Sequence, residues 1–119
     1  MLKKQTNSRI QSNRGERIAS KVQILVAEIL RDNFSDDANV STVSLVGSES
    51  HGGLRFVKLF YYTRNSNINS VQKRLDEITK MVRFELAARM DQKYVPDIRF
   101  VYDDTLERAN RIDKLLGTI

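Results

Sequence analysis

Residues 54–63 read LRFVKLFYYT. Successive side chains of an extended chain point to opposite faces, so Phe56, Lys58, Phe60 and Tyr62 share one side and Arg55, Val57, Leu59 and Tyr61 the other. Sustained alternation in aromatic and aliphatic residues predicts a central strand of a sheet. Just upstream, Val40, Thr42, Val43 and Val46 predict another strand over 40–46, ended by a turn over 48–53 that contains Gly52 and Gly53. The two segments read together as a hairpin.

Helical periodicity flanks this hairpin. Ile18, Val22, Leu25, Val26, Ile29 and Leu30 trace one face of an amphipathic helix over about 17–32, followed by the polar break of Asn33, Ser35, Asp36, Asp37 and Asn39. After Arg64-Asn65-Ser66-Asn67, apolar residues recur every three or four positions at Val71, Leu75, Ile78, Val82, Leu86 and Met90, which predicts a long helix. Pro96, the one proline, biases Val95 to an extended conformation. Beyond it Ile98, Phe100 and Tyr102 alternate with Arg99 and Val101 as a third strand over 97–102. Asp103, Asp104 and Thr105, with Glu107 following, offer N-cap chemistry for a short last helix that carries Leu106, Ala109, Ile112, Leu115 and Leu116 and closes at Gly117. This order implies an α+β domain of three strands with helices on one face. On such a sheet the aromatic row Phe56, Phe60 and Tyr62 is expected in the core rather than as a platform for bases.

Composition narrows the function. A chain of 119 residues, 40% hydrophobic and 29% charged, suits one domain. No apolar run approaches the roughly 20 residues a bilayer requires, and no secretory h-region precedes the first helix, so a soluble, cytoplasmic protein without membrane partners is expected. Cysteine is absent and His51 is the single histidine. Disulfides, thiolate nucleophiles and most metal constellations are thereby excluded, and neither metal nor cofactor is expected. Asp103, Asp104 and Glu107 lie at a helix start, where carboxylates cap free N–H groups. His51 reads as a partnerless loop histidine beside glycine, with no nucleophile motif near it. Neither cluster points to catalysis or to a small-molecule substrate.

The net charge of +5 is unevenly spread. Residues 1–17 supply +4 of it, through Lys3, Lys4, Arg9, Arg14 and Arg17 against Glu16. With only Met1, Leu2 and Ile10 apolar, residues 1–16 read as a flexible basic arm rather than an amphipathic transit peptide. A second basic locus is the long helix region, where residues 71–99 hold seven basic against five acidic side chains. Lys80 and Arg83 face away from the Ile78, Val82 and Leu86 row, with Arg89 and Lys93 further on. Together with Lys21 of the first helix and the cations of the arm, these are the candidate RNA-binding residues. Phe84 is exposed on the wheel of a straight helix and available to stack on a base; a kinked helix would turn it inward and leave the lysines merely solvating a surface.

Residues 81–116, MVRFELAARMDQKYVPDIRFVYDDTLERANRIDKLL, resemble the C-terminal half of ribosome-binding factor A. The likeness lies in Arg83, the run Glu85 to Ala87, Tyr94-Val95-Pro96 before the strand, the Tyr102-Asp103-Asp104 cap and the closing Arg111-Ile112-Asp113 with Leu115-Leu116. Residues 17–30, RIASKVQILVAEIL, are similar to the opening helix of that family. The resemblance implies a type II KH-like fold, α-β-β-α-α-β, over 17–103, with the C-terminal helix and tail over 104–119. It also implies a non-catalytic assembly factor, read here as a monomer, that binds 16S rRNA and the small (30S) ribosomal subunit during late maturation, with most effect in the cold. Where relatives carry Ala-x-Gly at a helix kink, this chain has Ile78-Thr79-Lys80, and the Lys80 ammonium should add a phosphate contact beside Arg83. Two loops differ as well, Asp32-Asn33-Phe34 standing for Asp-Pro-Arg and Glu49 to Gly53 for Ser-Pro-Asp. The other reading is a protein-interaction adaptor of KH-like fold without direct RNA binding, which weak salt dependence would reveal.

Overall fold

A computed structural model describes the backbone of residues 2–52, 55–91 and 94–117, and within these spans the side chains from Arg14 onward except that of Leu106. The elements follow in the order α1 (Leu2–Phe34), a single 3₁₀ turn (Val40–Thr42), β1 (Val43–His51), β2 (Phe56–Thr63), α2 (Ile68–Arg89), β3 (Asp97–Tyr102) and α3 (Thr105–Gly117). The sheet runs β1-β2-β3. β1 and β2 form the expected antiparallel hairpin, in register from Val43 opposite Thr63 to His51 opposite Phe56, with a bulge between Leu45 and Gly47. β3 lies parallel to β2, Phe56 opposite Asp97 through Tyr61 opposite Tyr102. Parallel neighbours need a crossover, and α2 supplies it.

One face of this sheet meets the helices. Val57, Leu59, Tyr61 and Thr63 of β2 are buried, together with Ile98 and Phe100 of β3. They form one core with Ala19, Val22, Val26 and Ile29 of α1 and Val71, Leu75, Ile78, Val82 and Leu86 of α2. The aromatic row expected inside therefore faces the other way, and Phe56, Phe60 and Tyr62 are only half-buried. Lys58 is the physical reason: it sits in the same row, and an ammonium is not taken out of water without a partner. The Tyr61 phenol, at the core, is satisfied by donating to Gln72 Oε1 at 2.7 Å.

Several boundaries move for local reasons. Val40 and Thr42 are not in the strand, because Asp37 Oδ1 accepts from Asn39 N at 3.0 Å and Val40 N at 2.9 Å and winds that segment into the 3₁₀ turn. Arg74 Nε holds the other Asp37 oxygen at 2.7 Å. β1 then continues to His51, so the turn narrows around Gly52, whose φ of 60° suits glycine. His51 is accordingly a strand residue, its ring stacked on Phe56, rather than a loop residue. α1 starts at Leu2 instead of near Arg17, across the stretch expected to be a flexible arm. Lys, Gln and Arg are fair helix formers, and a helix already anchored through Ala19 extends without a new nucleus. The side chains of Lys3, Lys4 and Arg9 lie outside the described residues. α2 is one helix of 22 residues where the resemblance implies two, and Lys80 is a helix former at the place where a glycine would loosen the turn.

At the C-terminal end Asp103 Oδ1 accepts from Thr105 N at 2.9 Å and from the Thr105 hydroxyl, which caps α3 as anticipated. Tyr102 Oη donates to Glu107 Oε1 at 2.5 Å. Ile112, Leu115 and Leu116 stay exposed. Among the described residues no helix is long and apolar enough to cross a membrane.

Two titrations test this packing. Burial pushes the Tyr61 phenol up to about 12 from 10.0, so the folded state holds that proton more tightly than the unfolded chain. Stability is intact below pH 10 and falls as pH rises toward 12; Tyr61→Phe is expected to lose about 1 kcal/mol at neutral pH and to flatten this alkaline fall in urea titrations. Asp37 is lowered from 3.8, first by the Val40 N–H and then by Arg74. Its contribution is present above that value and lost as pH falls below it. Asp37→Ala is expected to destabilise by about 1–2 kcal/mol at pH 7 and to make the acid limb shallower.

Candidate nucleic-acid interface

The crossover that makes β3 parallel to β2 also brings the middle of α2 beside the start of both strands. Between them opens a cleft of about 580 Å³ lined by Arg55, Phe56, Thr79, Lys80, Arg83, Asp97, Ile98 and Arg99. Four cations thus surround one carboxylate. Asp97 is already engaged, with Arg83 Nε 3.0 Å from its Oδ1. Arg83 Nη2 also donates to Val95 O at 2.9 Å, and its Nε points to Pro96 O at 3.4 Å. Its guanidinium therefore clasps the segment 95–97 onto α2, and only its remaining donors face outward. Arg83 does face away from the core row, as the helix wheel placed it, but most of its donors are committed within the chain.

Lys80 meets the expectation more closely. It is exposed, and Glu77, its nearest candidate partner on the helix, lies 3.5 Å from Arg74 Nη1 instead. Among the described residues Lys80 makes no ion pair. α2 runs without interruption through 78–80, and Phe84 one turn further on lies outside, 76% exposed, with Met81 at 57%. Across the cleft the Arg99 guanidinium sits 4.8 Å above the centre of the Phe56 ring, a cation–π contact that fixes the side chain without consuming its N–H donors. Arg55 N donates to His51 O at 3.1 Å and Arg55 O accepts from Asp97 N at 3.0 Å, so its backbone is fixed at the strand start.

The remaining sequence candidates lie apart. Arg89 joins α2 to α1, with Nη2 3.1 Å from Asp32 and Nη1 3.7 Å from Glu28, and is not in the cleft. Arg14, Arg17 and Lys21 are exposed on α1. Their steps of three and four put them on one stripe of that helix. Lys93, like Lys3, Lys4 and Arg9, lies outside the described side chains. So the cleft unites Lys80 and Arg83, and adds Arg55 and Arg99, which sequence reasoning missed. The alternation of β3 does turn Arg99 away from Ile98 and Phe100, but its neighbours across the sheet depend on the parallel register.

The acidic cluster is accounted for by α3. The Thr105 hydroxyl and N–H hold Asp103 below its ordinary value, and Arg108, with Nη2 2.6 Å from Asp104 Oδ1, does the same for Asp104. Among the described residues no three His, Asp or Glu side chains are placed to hold a metal ion. What the cleft offers is a convergence of N–H donors and positive charge beside an exposed aromatic, an arrangement that suits phosphate and base contacts.

Comparison with known proteins bears on that arrangement. The family described as Ribosome-binding factor A matches residues 14–116. The Ribosome-binding factor A of Coxiella burnetii (strain Dugway 5J108-111) is 36% identical over 106 residues, 88% of each chain. The crystal structure of ribosome-binding factor A from Thermus thermophilus superposes with a TM-score of 0.65 at 10% identity, over 74% of this chain and 94% of that one. A Thermus thermophilus ribosome-binding factor A homology model, fitted into the cryo-EM map of a 30S complex, gives 0.60 at 10% identity, over 71% and 90%. These likenesses carry the KH-like fold, and the sequence match over most of the chain carries the relationship: this chain belongs to the ribosome-binding factor A family.

Proposed function

We propose that the protein is a non-catalytic ribosome-binding factor of the cytoplasm that associates with the small subunit through 16S rRNA, assists its late maturation and matters most in the cold. The carrying observation is the cleft between α2 and β3, where Asp97 is spent on Arg83 and the charges of Lys80, Arg55 and Arg99 remain for an anionic partner. The placement of a relative in a 30S complex supports the choice of that partner. Structured RNA is recognised mainly through its backbone and shape, for which fixed cations on a rigid helix and sheet are well suited. Lys80 and Arg99 take phosphates, Arg83 positions the β3 start, and Phe84 is the side chain on α2 placed to stack.

Co-sedimentation with 30S subunits over a salt series tests this. Lys80→Glu is expected to weaken binding about tenfold and to lower the salt slope by about one, with thermal unfolding unchanged. Arg83→Glu should reduce both binding and stability, since it also releases Val95 and Asp97. Binding that ignores salt and survives Lys80→Glu would favour the adaptor reading.

The basic segment is separable. Deleting residues 1–14 removes Lys3, Lys4, Arg9 and Arg14 but no core residue. Subunit binding is expected to weaken and its salt slope to flatten, while the unfolding midpoint stays within a degree or two. An unaltered slope would assign that segment no role.

A further inference from the structure

The face of the sheet turned away from α1 and α2 has its own chemistry. Along β2 it presents Phe56, Lys58, Phe60 and Tyr62, all half-buried and none of them part of the core cluster. The register sets Glu49 and Arg99 on either side of Lys58, and Gly47 and Val101 on either side of Phe60. Nothing rises beside Phe60 at Gly47, where even a Cβ would come no closer than 3.6 Å to the ring.

Charge on this face favours an anion. Asp97 is engaged by Arg83, and Glu49 Oε1 lies 2.6 Å from His51 Nε2. With Glu49 counted against it, the face is still net positive, because Lys58, Arg99 and the neighbouring Arg55 make no ion pair among the described residues. The Phe56 ring stacks on His51 at 5.2 Å and 14° and carries the Arg99 guanidinium 4.8 Å above its centre, so the cation is held in place while its donors stay available. Arg55, Phe56 and Arg99 also line the cleft beside α2, which makes the two surfaces continuous. From Phe56 to Tyr62 the strand spans about 20 Å, room for a few nucleotides.

We propose that this open face is a second RNA site, one that stacks unpaired bases on Phe60 and Tyr62 while Lys58 and Arg99 hold the phosphates between them. A single strand leaving the cleft crosses the β3 edge at Arg99 and lies along β2. The proposal rests on the RNA reading above but needs more than it: a flexible, unpaired segment, since paired bases expose no faces to a sheet. An apolar protein surface would find Lys58 and Arg99 in its way, and burying them unpaired is unfavourable.

The test uses the full chain with Phe60→Leu and Tyr62→Leu combined, which keeps apolar bulk on the strand and removes the flat rings. A short fluorescein-labelled single-stranded RNA of mixed sequence, and the same sequence as a duplex, are titrated by fluorescence anisotropy. The variant is expected to bind the single strand about tenfold more weakly, with the duplex barely affected and the salt slope unchanged. Independently of any variant, the Phe60 and Tyr62 ring protons of the unmodified protein should shift upfield when the single strand is added. Full affinity in the leucine variant, or ring signals that stay put while RNA binds, overturns the proposal. If Lys80→Glu loses 30S subunits while the leucine variant keeps both subunits and single strand, the cleft stands and the open face falls. If the unmodified protein binds neither RNA nor subunits, the RNA reading itself has failed. Ring signals that move on deleting residues 105–119 without RNA make α3 the occupant and overturn the proposal as well.

Discussion

Everything in this structure leans on the row Val57, Leu59 and Tyr61, each fully buried where β2 meets α1 and α2. Covering such a side chain contributes roughly 1.5–3 kcal/mol, and the helices cannot bury their own stripes without it. The strand alternates, so committing this row to the core commits Phe56, Lys58, Phe60 and Tyr62 to the far side. The parallel pairing of β3 then has one register that buries Ile98 and Phe100, and in it Arg99 lands beside Lys58. The charged cleft and the aromatic face are both consequences of which row is inside.

That choice was the part of the fold least legible in the sequence. Helices with strict three-and-four spacing, the third strand and the capped last helix could be located from periodicity and turn chemistry alone. Both rows of residues 54–63 are apolar enough to be core, however, and aromatic area argued for the wrong one. A single ammonium outweighs it: Lys58 is central in its row, whereas Arg55 stands at the end of the other and can leave the core where the strand begins. The same limit applies to the first strand, where β-branched Val40 and Thr42 look extended but the Asp37 side chain organises them into a turn.

For the site, sequence could find cations on a helix wheel but not how they are used. Lys80 and Arg83 are neighbours in sequence and on the helix, yet among the described residues one makes no ion pair and the other is bonded to Val95 O and Asp97. The difference comes from where residues 95–97 return to α2, a tertiary fact. Arg55 and Arg99 escaped notice because only the β2–β3 register, which no local pattern encodes, makes them neighbours of Lys80. Conversely, the continuity of α2 follows from a local feature: Lys80 stands where a glycine would loosen the helix, and the uninterrupted helix carries Phe84 exposed.

The arginines divide the labour of this basic chain. Arg74 braces the Asp37 turn, Arg83 the approach to β3, Arg89 the α1–α2 contact and Arg108 the start of α3. Exposed pairs of this kind contribute little stability singly, but each withdraws a cation from solution. Counterion release on binding RNA reflects phosphates neutralised by cations that were free beforehand. The net charge of +5 is therefore a poor guide to the strength or salt dependence of any contact. For the cleft and the open face the relevant set is the smaller one of Arg55, Lys58, Lys80 and Arg99, unpaired among the described residues and close together on the sheet, where their fields add instead of being spread over the surface.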